Sequence, residues 1–264
     1  MAAENLYITL IQADIVWENK EVNFEQYERL IDGISGRKEI VVLPEMFATG
    51  FSMAASRLAE DMNGMTINWM RSMAQKYRII ITGSAIIESE GKYYNRLVWM
   101  QPDGTYGFYD KRHLFGYAGE DLHYTSGNNR LIVQVNGWKI CPLVCYDLRF
   151  PVWSRNQIQD GEAAYDVLIY VANWPRKREI AWKTLLQARA IENLSYCVGV
   201  NRVGEDDAGF SYGGASSVFD PLGEQLWQQS EIVCSHTIQL SRKQLEETRS
   251  HLSFLKDADR FVMP

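Results

Sequence analysis

Residues 140–151 read Ile-Cys-Pro-Leu-Val-Cys-Tyr-Asp-Leu-Arg-Phe-Pro. The apolar run predicts a buried strand that ends at Cys145, and Pro151 marks the start of a helix. A sharp turn from strand to helix presents one side chain at a sheet edge and leaves the next backbone N–H groups unpaired, as the nucleophile elbow of other hydrolases does. Cys145 therefore stands where a nucleophile could act. The alternative is a small buried hydrophobe, which describes most free cysteines.

A zinc site built on Cys141 and Cys145 is a further interpretation of this segment. Pro142 lies between the two cysteines, no matched second Cys/His pair follows, and two of the four histidines lie beyond residue 230. We therefore expect no metal here.

Apolar strands alternate with amphipathic helices on both sides of the turn. Strand-like runs at 6–15 and 39–43 enclose a segment whose apolar residues recur at helical spacing. A second segment with this spacing precedes the strand-like run at 79–87. Turns follow at Pro102-Asp103-Gly104 and at Asn136-Gly137, and residues 167–240 continue as a strand, a long helix and further strands. Helices together with a large mixed sheet predict a layered α/β architecture.

Composition limits the class of protein. Lys plus Arg number 27 against 33 Asp plus Glu, a formal net charge of −6, so no broad positive field is available for nucleic acid or an anionic membrane. The sequence has no repeat, linker or 18-residue apolar stretch, and we expect one domain over residues 1–264. Four sparse cysteines and the lack of a signal-peptide pattern predict reduced thiols in the cytoplasm.

Two charged residues could assist a cysteine nucleophile. Glu45 follows the apolar run Ile-Val-Val-Leu-Pro at 40–44, where loss of hydration makes a carboxylate a stronger base. Lys111 lies in Tyr-Asp-Lys-Arg-His-Leu at 109–114, just after a predicted strand. Taken alone, each has a simpler interpretation as a solvated loop residue. None of the four histidines stands in a recognisable cysteine-protease context.

Four segments, in order, resemble the signature segments of the nitrilase superfamily of carbon–nitrogen hydrolases. They are Leu-Pro-Glu at 43–45, Tyr-Asp-Lys-Arg-His-Leu at 109–114 ahead of Gly119-Glu120, Cys-Tyr-Asp-Leu-Arg-Phe-Pro at 145–151, and Ala-Asn-Trp-Pro at 172–175 with Gln-Ala-Arg-Ala-Ile-Glu-Asn at 187–193. The spacings between Glu45, Lys111 and Cys145 also fit the superfamily. The resemblance covers about Leu6 to Leu240, which is nearly the whole chain.

The resemblance implies a mechanism that agrees with the residue chemistry. Glu45 would take the proton from Cys145, whose thiolate would attack an amide or nitrile carbon to give a thioester and release ammonia. Lys111 and the backbone N–H of Tyr146 would stabilise the oxyanion, and Glu120 would orient the amide and help hold Lys111. No metal or organic cofactor is implied.

The superfamily fold is an αββα sandwich, two sheets covered by helices, and its members usually form dimers. We therefore expect a four-layer αββα sandwich and a homodimer. The helix after Cys145 and the helix at 187–193 would contribute to the pairing surface. Arg189 and Glu192 are expected to form an ion pair in that helix rather than to act in catalysis.

The segment after Cys145 favours an amidase, because nitrilases proper usually follow the nucleophile with Trp-Glu. The combined motifs most resemble bacterial omega-amidases, which deamidate 2-oxoglutaramate and 2-oxosuccinamate. Such a substrate carries a carboxylate at its far end and should need a cation and aromatic walls there. The candidate residues are Trp174 and Phe47 for the walls and Arg149 or Arg176 for the carboxylate. A structural pairing of Arg149 with Asp147 is the alternative for that arginine.

Two loops could cap the pocket, residues 48–51 and residues 115–119, the latter including Tyr117. Two other functions remain open: an amidase of the superfamily that acts on N-carbamoyl compounds or deaminated glutathione, and a binding protein without turnover. The presence of Glu45, Lys111, Glu120 and Cys145 argues against the binding protein, since a degenerate relative would be expected to lose at least one of them.

Overall fold

A computed structural model describes residues 3–259 and 261; residues 1, 2, 260 and 262–264, which belong to the expected domain of 1–264, lie outside the described residues. The strands are β1 (Asn5–Gln12), β2 (Ile40–Val42), β3 (Ile80–Ser89), β4 (Lys92–Met100), β5 (Tyr106–Asp110), β6 (Val133–Val135), β7 (Trp138–Val144), β8 (Ile158–Gln159), β9 (Glu162–Ala163), β10 (Val167–Ala172), β11 (Tyr196–Asn201), β12 (Val203–Glu205), β13 (Ser211–Phe219), β14 (Gln225–Ser230) and β15 (Cys234–Ser241). The helices are α1 (Lys20–Asp32), α2 (Ala55–Leu58), α3 (Met65–Tyr77), α4 (Glu120–His123), α5 (Pro151–Ser154), α6 (Glu179–Asn193) and α7 (Arg242–His251), with 3-10 turns at Gly116–Ala118, Cys145–Arg149, Arg176–Arg178 and Phe254–Asp257.

Two sheets carry most of these strands. The first has the order β15-β1-β2-β3-β4-β5, with β1, β2 and β3 parallel. The second has the order β12-β13-β11-β10-β7-β6, with β14 beside β13 and with β7, β10 and β11 parallel. Because β4 is antiparallel to both of its neighbours, β5 runs in the direction of β3. The carboxyl ends of β2, β3 and β5 therefore meet at one edge of the first sheet, and those of β7, β10 and β11 at one edge of the second.

Side-chain alternation divides the first sheet between two cores. Ile40 and Val42 belong to the core shared with the second sheet, whereas Val41 and Leu43 belong to a core shared with α1 and α3. One face of the first sheet is thus covered by the second sheet and the other by helices.

Helix α6 covers the outer face of the second sheet. Gly199 of β11 allows this close approach, because a β-carbon there would lie 2.4 Å from Leu186 Cδ1 and 2.8 Å from Trp182 Cζ2. The layers follow the order helix, sheet, sheet, helix, and the αββα sandwich expected from the resemblance is confirmed.

Several local predictions are also confirmed. Asn136 and Gly137 have φ of 49° and 84° and join the antiparallel strands β6 and β7, as the two-residue hairpin turn requires. The helix expected from Pro151 is present but ends at Ser154, after a single turn.

The sequence patterns do not predict α7, β12 or the β8–β9 hairpin. Helix α7 is rich in charged and polar residues and buries only Leu245, so it lacks the apolar stripe that reveals an amphipathic helix. The strands β8 and β9 have two residues each, too few to show alternation. Within the described residues, none of the helices is both long and apolar enough to cross a membrane.

Candidate active site

Cys145 follows β7 and begins the 3-10 turn at 145–149. Its φ is 43°, in the left-handed region that residues other than glycine rarely adopt. The Asp147 carboxylate stabilises the bend, because Oδ2 accepts hydrogen bonds from Val144 N–H at 3.0 Å and from the Tyr109 hydroxyl at 2.7 Å. The thiol is thereby held at the carboxyl edge of the second sheet. The N–H of Tyr146 lies in the first turn of the short helix, where it has no helical acceptor.

Glu45 lies at the matching edge of the first sheet, just after β2, and is fully buried. Its Oε1 accepts hydrogen bonds from Asn95 Nδ2 at 2.8 Å and from Lys111 Nζ at 2.9 Å. Its Oε2 accepts one from the backbone N–H of Asn173 at 2.9 Å, and Asn173 follows β10 of the second sheet. The carboxylate therefore spans the gap between the two sheets.

Lys111 follows β5 and carries its ammonium group between two buried carboxylates. Nζ lies 2.9 Å from Glu45 Oε1 and 2.8 Å from Glu120 Oε2. Burial lowers the pKa of Lys111, but the charges of Glu120 and Glu45 outweigh burial and raise the pKa above its usual value. Burial raises the pKa of Glu120, and Lys111 opposes that shift. Lys111 is thus a permanent cation at neutral pH.

The Cys145 thiol is neutral at rest. Burial raises its pKa, and the nearby Glu45 carboxylate raises it further, while the positive charge of Lys111 acts in the opposite direction. Sγ also lies 4.0 Å from the carbonyl oxygen of Asn173. A thiol beside a carboxylate and an ammonium group can be deprotonated as it attacks an electrophilic carbon, with the cation placed to stabilise a developing oxyanion.

A cavity of about 380 Å³ includes Cys145 in its lining. Its walls are largely aromatic and come from the segments that follow strands of both sheets, namely Trp17, Phe51, Phe115, Tyr146, Trp174 and Phe210, and from Tyr212 at the start of β13. Two guanidinium groups also line it, Arg149 over the Trp174 ring at 4.9 Å and Arg178 over the Phe115 ring at 5.1 Å. Neither arginine forms a salt bridge in the part of the chain that the structure describes. The cavity therefore offers two uncompensated cations in an apolar enclosure.

The other charged groups of the cavity are already satisfied. Asp206 lines it, but Oδ1 accepts the N–H groups of Ala208 and Phe210 and Oδ2 accepts the Tyr212 hydroxyl. Among residues 3–259 and 261, no group of three or more His, Cys, Asp and Glu side chains could hold a metal ion.

Comparison with known proteins relates nearly the whole chain to one family. The profile of the carbon-nitrogen hydrolase family matches residues 7–247. This chain belongs to the carbon–nitrogen hydrolase family. It is 47% identical over 259 residues to omega-amidase YafV of Escherichia coli, covering 97% of this chain and 98% of the relative. It is 32% identical over 222 residues to 2-oxoglutaramate amidase of Bacillus subtilis, covering 83% and 84%.

A solved structure of the same family has the same fold. A CN-hydrolase superfamily protein of Xanthomonas campestris, with an arsenic adduct in its active site, is 42% identical and superposes with a TM-score of 0.97 over 99% of this chain and 100% of that chain. The superfamily membership expected from the four sequence segments is confirmed.

The structure of this carbon–nitrogen hydrolase brings Glu45, Lys111, Glu120 and Cys145 into one cluster, as the resemblance implies. Cys141 is fully buried within β7, and burial raises the pKa of its thiol to about 12. It does not line the cavity.

Four of the six expected substrate-side residues line the cavity: Tyr146, Trp174, Arg149 and Tyr117. The other two do not. Phe47 is fully buried in the core between the first sheet and its helices, where it packs edge-on against Tyr27, and the neighbouring Phe51 supplies the aromatic wall instead. Arg176 does not line the cavity and forms an ion pair with Glu231, so its expected place at a substrate carboxylate is corrected.

Of the two ion pairs considered from the sequence, Arg149 with Asp147 and Arg189 with Glu192, only the second forms among the described residues. No hydrogen bond or salt bridge joins Arg149 to Asp147 in the described part of the chain; Asp147 Oδ1 accepts instead from His113 N–H and lies 2.8 Å from His113 Nδ1. Arg189 and Glu192 do form the expected ion pair at 3.0 Å, and Arg189 also donates to the Leu148 carbonyl at 2.6 Å.

The loops expected to cap the pocket contribute unequally. Ala48 and Thr49 are buried beneath the surface, and only Phe51 of the first loop reaches the cavity. In the second loop, Tyr117 lines the cavity while remaining 88% exposed, so its ring lies at the mouth.

Sequence reasoning missed three residues that contact the site, namely Asn95, Asn173 and Arg178. Asn173 stands in the Asn-Trp-Pro segment, and both its backbone N–H and its side-chain Nδ2 donate to Glu45, to Oε2 at 2.9 Å and to the carbonyl at 2.6 Å. That family segment is the signal that could have found it. Asn95 lies in the polar half of β4, next to Arg96, so its burial is not visible as an interruption of an apolar run.

Proposed function

We propose that this protein is an omega-amidase that hydrolyses the terminal amide of short omega-amido 2-oxo acids, such as 2-oxoglutaramate and 2-oxosuccinamate. The products are the dicarboxylate and ammonia. The observation that carries the proposal is the cluster of Glu45, Lys111 and Cys145 at an aromatic cavity, which also holds two arginines without an acidic partner in the described part of the chain. The names of the relatives from E. coli and B. subtilis support the same substrate class.

Hydrolysis begins with acyl transfer to Cys145. Glu45 takes the thiol proton as Sγ forms a bond to the amide carbon, and the carbonyl electron pair moves to oxygen. Lys111 Nζ and the Tyr146 N–H donate to that oxyanion. When the tetrahedral intermediate collapses, the C–N bond breaks and the nitrogen takes the proton from Glu45. Ammonia departs, and the acyl group remains bound to Cys145 as a thioester.

Water completes the reaction at the same carbon. Glu45, again a carboxylate, takes a proton from water as its oxygen adds to the thioester. The C–S bond then breaks, the acid is released, and Cys145 recovers a proton. Glu120 is the residue that holds Lys111 and orients the substrate amide, supported by its two contacts with Nζ at 2.8 and 3.0 Å. The sequence resemblance implies that no cofactor supplies any part of this chemistry.

The substrate carboxylate is assigned to Arg149 together with Arg178. Both lie in the cavity without an acidic partner in the described chain, and an apolar surround strengthens a charge-assisted hydrogen bond. Trp174 and Phe115, beneath the two guanidinium groups, form walls for a short carbon chain.

The assembly and location complete the proposal. We assign residues 1–264 to one domain and expect a homodimer formed through α5 and α6, which expose Val152, Ile180 and Ile191. We place the protein in the cytoplasm, since four unpaired cysteines suit a reducing compartment.

The test is ammonia release by the purified protein from 2-oxoglutaramate, 2-oxosuccinamate, glutamine, an N-carbamoyl amino acid and a simple nitrile. Release from the two keto-acid amides alone, lost in Cys145→Ala and kept in the matched Cys141→Ala variant, is the expected result. Activity that persists in Cys145→Ala would refute the mechanism. Release only from the N-carbamoyl compound would move the function to a different amidase class, and silence from a folded protein across the panel would favour a larger amide or a binding role.

A further inference from the structure

Asn95 contacts three of the four groups assigned to catalysis. It lies in β4, opposite Ile86 of β3, and is fully buried. Its Nδ2 donates to Glu45 Oε1 at 2.8 Å and to Glu120 Oε1 at 3.0 Å. Its backbone carbonyl accepts the N–H of Lys111 at 3.0 Å. One residue thus connects both carboxylates and fixes the backbone that carries the lysine.

The amide orientation has an identifiable cause. Asn95 Oδ1 is buried and has no hydrogen-bond partner among the described residues, which is unfavourable for an acceptor. Rotating the amide by half a turn would place that oxygen against two carboxylate oxygens and lose both donated hydrogen bonds. The amide is therefore oriented so that Nδ2 donates to both carboxylates, although Oδ1 is then left without a hydrogen bond among the described residues.

The charge balance of the cluster shows why such donors matter. Two buried carboxylates, Glu45 and Glu120, share one ammonium group, Lys111, so the ionised cluster carries an excess negative charge. Burial raises the pKa of Glu120 and favours its neutral form. The titratable groups that face the two carboxylates from the surrounding elements are Lys111, Cys145, Tyr124 and Tyr212. Among the described residues that face the carboxylates, Lys111 is the only cation.

We propose that Asn95 is a positioning residue for the reaction, which aligns the Glu45 carboxylate with Cys145 and, through its shared amide donor, stabilises the charge of the carboxylate cluster. The inference rests on the proposed function, because it takes Glu45 as the base. Hydrogen bonds to a charged carboxylate favour that form. An extra proton bound to the cluster would block proton transfer from the thiol, so Asn95 sets the lower end of the active pH range.

A graded series of substitutions tests this role. Asn95→Thr keeps one hydroxyl donor and suits a strand, and Asn95→Leu keeps a similar volume but has no donor. We expect the acid limb of the kcat/KM profile to move to higher pH in the order wild type, Asn95→Thr, Asn95→Leu, by about one pH unit in total. Below the limb, that shift lowers kcat/KM about tenfold. KM measured above the limb should change less than threefold, since Asn95 does not line the cavity.

Asn156→Thr is the matched control. Asn156 is also fully buried, but its amide donates to the backbone carbonyls of Tyr165 and Asn193 rather than to carboxylates. Its loss should lower thermal stability and leave the acid limb in place. Asn95→Thr provides the measurement if Asn95→Leu fails to fold.

The result separates this inference from the proposed function. An unshifted acid limb in the Asn95 variants, with Glu45→Gln and Cys145→Ala inactive in the same assay, would overturn the role of Asn95 alone. Retained activity in Glu45→Gln would overturn both. An equal limb shift in Asn156→Thr would show a general structural effect and also overturn the inference.

Discussion

Replacing Lys111 by methionine tests the charge balance of the active site. Methionine keeps an unbranched side chain but removes the ammonium group that lies 2.9 Å from Glu45 and 2.8 Å from Glu120. At an effective dielectric constant of about 20, each contact corresponds to a Coulomb attraction of about 6 kcal/mol before the cost of lost hydration. Breaking one partner out of a buried ionic cluster typically costs about 3–5 kcal/mol of folding stability.

We therefore expect two separable effects of Lys111→Met. The melting temperature should fall by roughly 10 °C, because two buried carboxylates lose the cation that lies between them. The value of kcat should fall by at least ~10²-fold, the loss typical of a missing oxyanion donor. Differential scanning calorimetry measures the first effect, and ammonia release from 2-oxoglutaramate measures the second.

A second substitution separates charge from catalysis. Lys111→Met combined with Glu120→Gln removes one of the two unpaired carboxylates and should recover part of the lost stability without recovering kcat. Lys139→Met is the matched control, since the partner of Lys139 is the exposed Glu162, and such pairs contribute little. A kcat within tenfold of wild type in Lys111→Met would refute the oxyanion role. A double variant no more stable than Lys111→Met would refute the electrostatic reasoning.

Two further predictions concern the substrate side of the cavity. Arg149→Leu and Arg178→Leu should each raise KM for 2-oxoglutaramate about tenfold or more, because each variant loses a charge-assisted hydrogen bond to the substrate carboxylate. Hydrolysis of an uncharged short amide should change much less. Arg176→Leu, outside the cavity, is the control, and equal effects on both substrates would contradict the assignment. Tyr117→Ala should raise KM or lower kcat for a short substrate if the loop at the mouth excludes water, whereas unchanged kinetic constants would remove its role as a lid.

The layered fold could be predicted because its signals are local and periodic. The hairpin at Asn136-Gly137 needs two consecutive residues with positive φ, and the sequence supplies residues that tolerate them. The sequence does not indicate that Val41 and Val42 belong to different cores, since a strand buried on both faces shows an unbroken apolar run. Helix α7 has one buried side chain and leaves almost no pattern to detect.

The site divides in the same way. Glu45, Lys111 and Cys145 each follow a strand, so their position at a strand end, together with the family motifs, was enough to nominate them. Phe47 and Phe51 could not be told apart, because both are aromatic residues near Glu45 and only the path of the loop decides which one faces the cavity. Arg176 and Arg178 differ for the same reason. They lie two residues apart on a tight turn, and one meets Glu231 while the other meets Phe115.

The base and the nucleophile of this protein belong to different sheets. Glu45 follows a strand of the first sheet, Cys145 follows a strand of the second, and the Asn173 N–H reaches across to Glu45 from the second. The distance between the base and the nucleophile therefore depends on the distance between the two sheets, and the apolar side chains packed between the sheets set that distance. The rate of turnover should therefore be sensitive to the packing between the sheets. We expect it to fall under mild heat, denaturant or truncation of core side chains before the sheets themselves unfold.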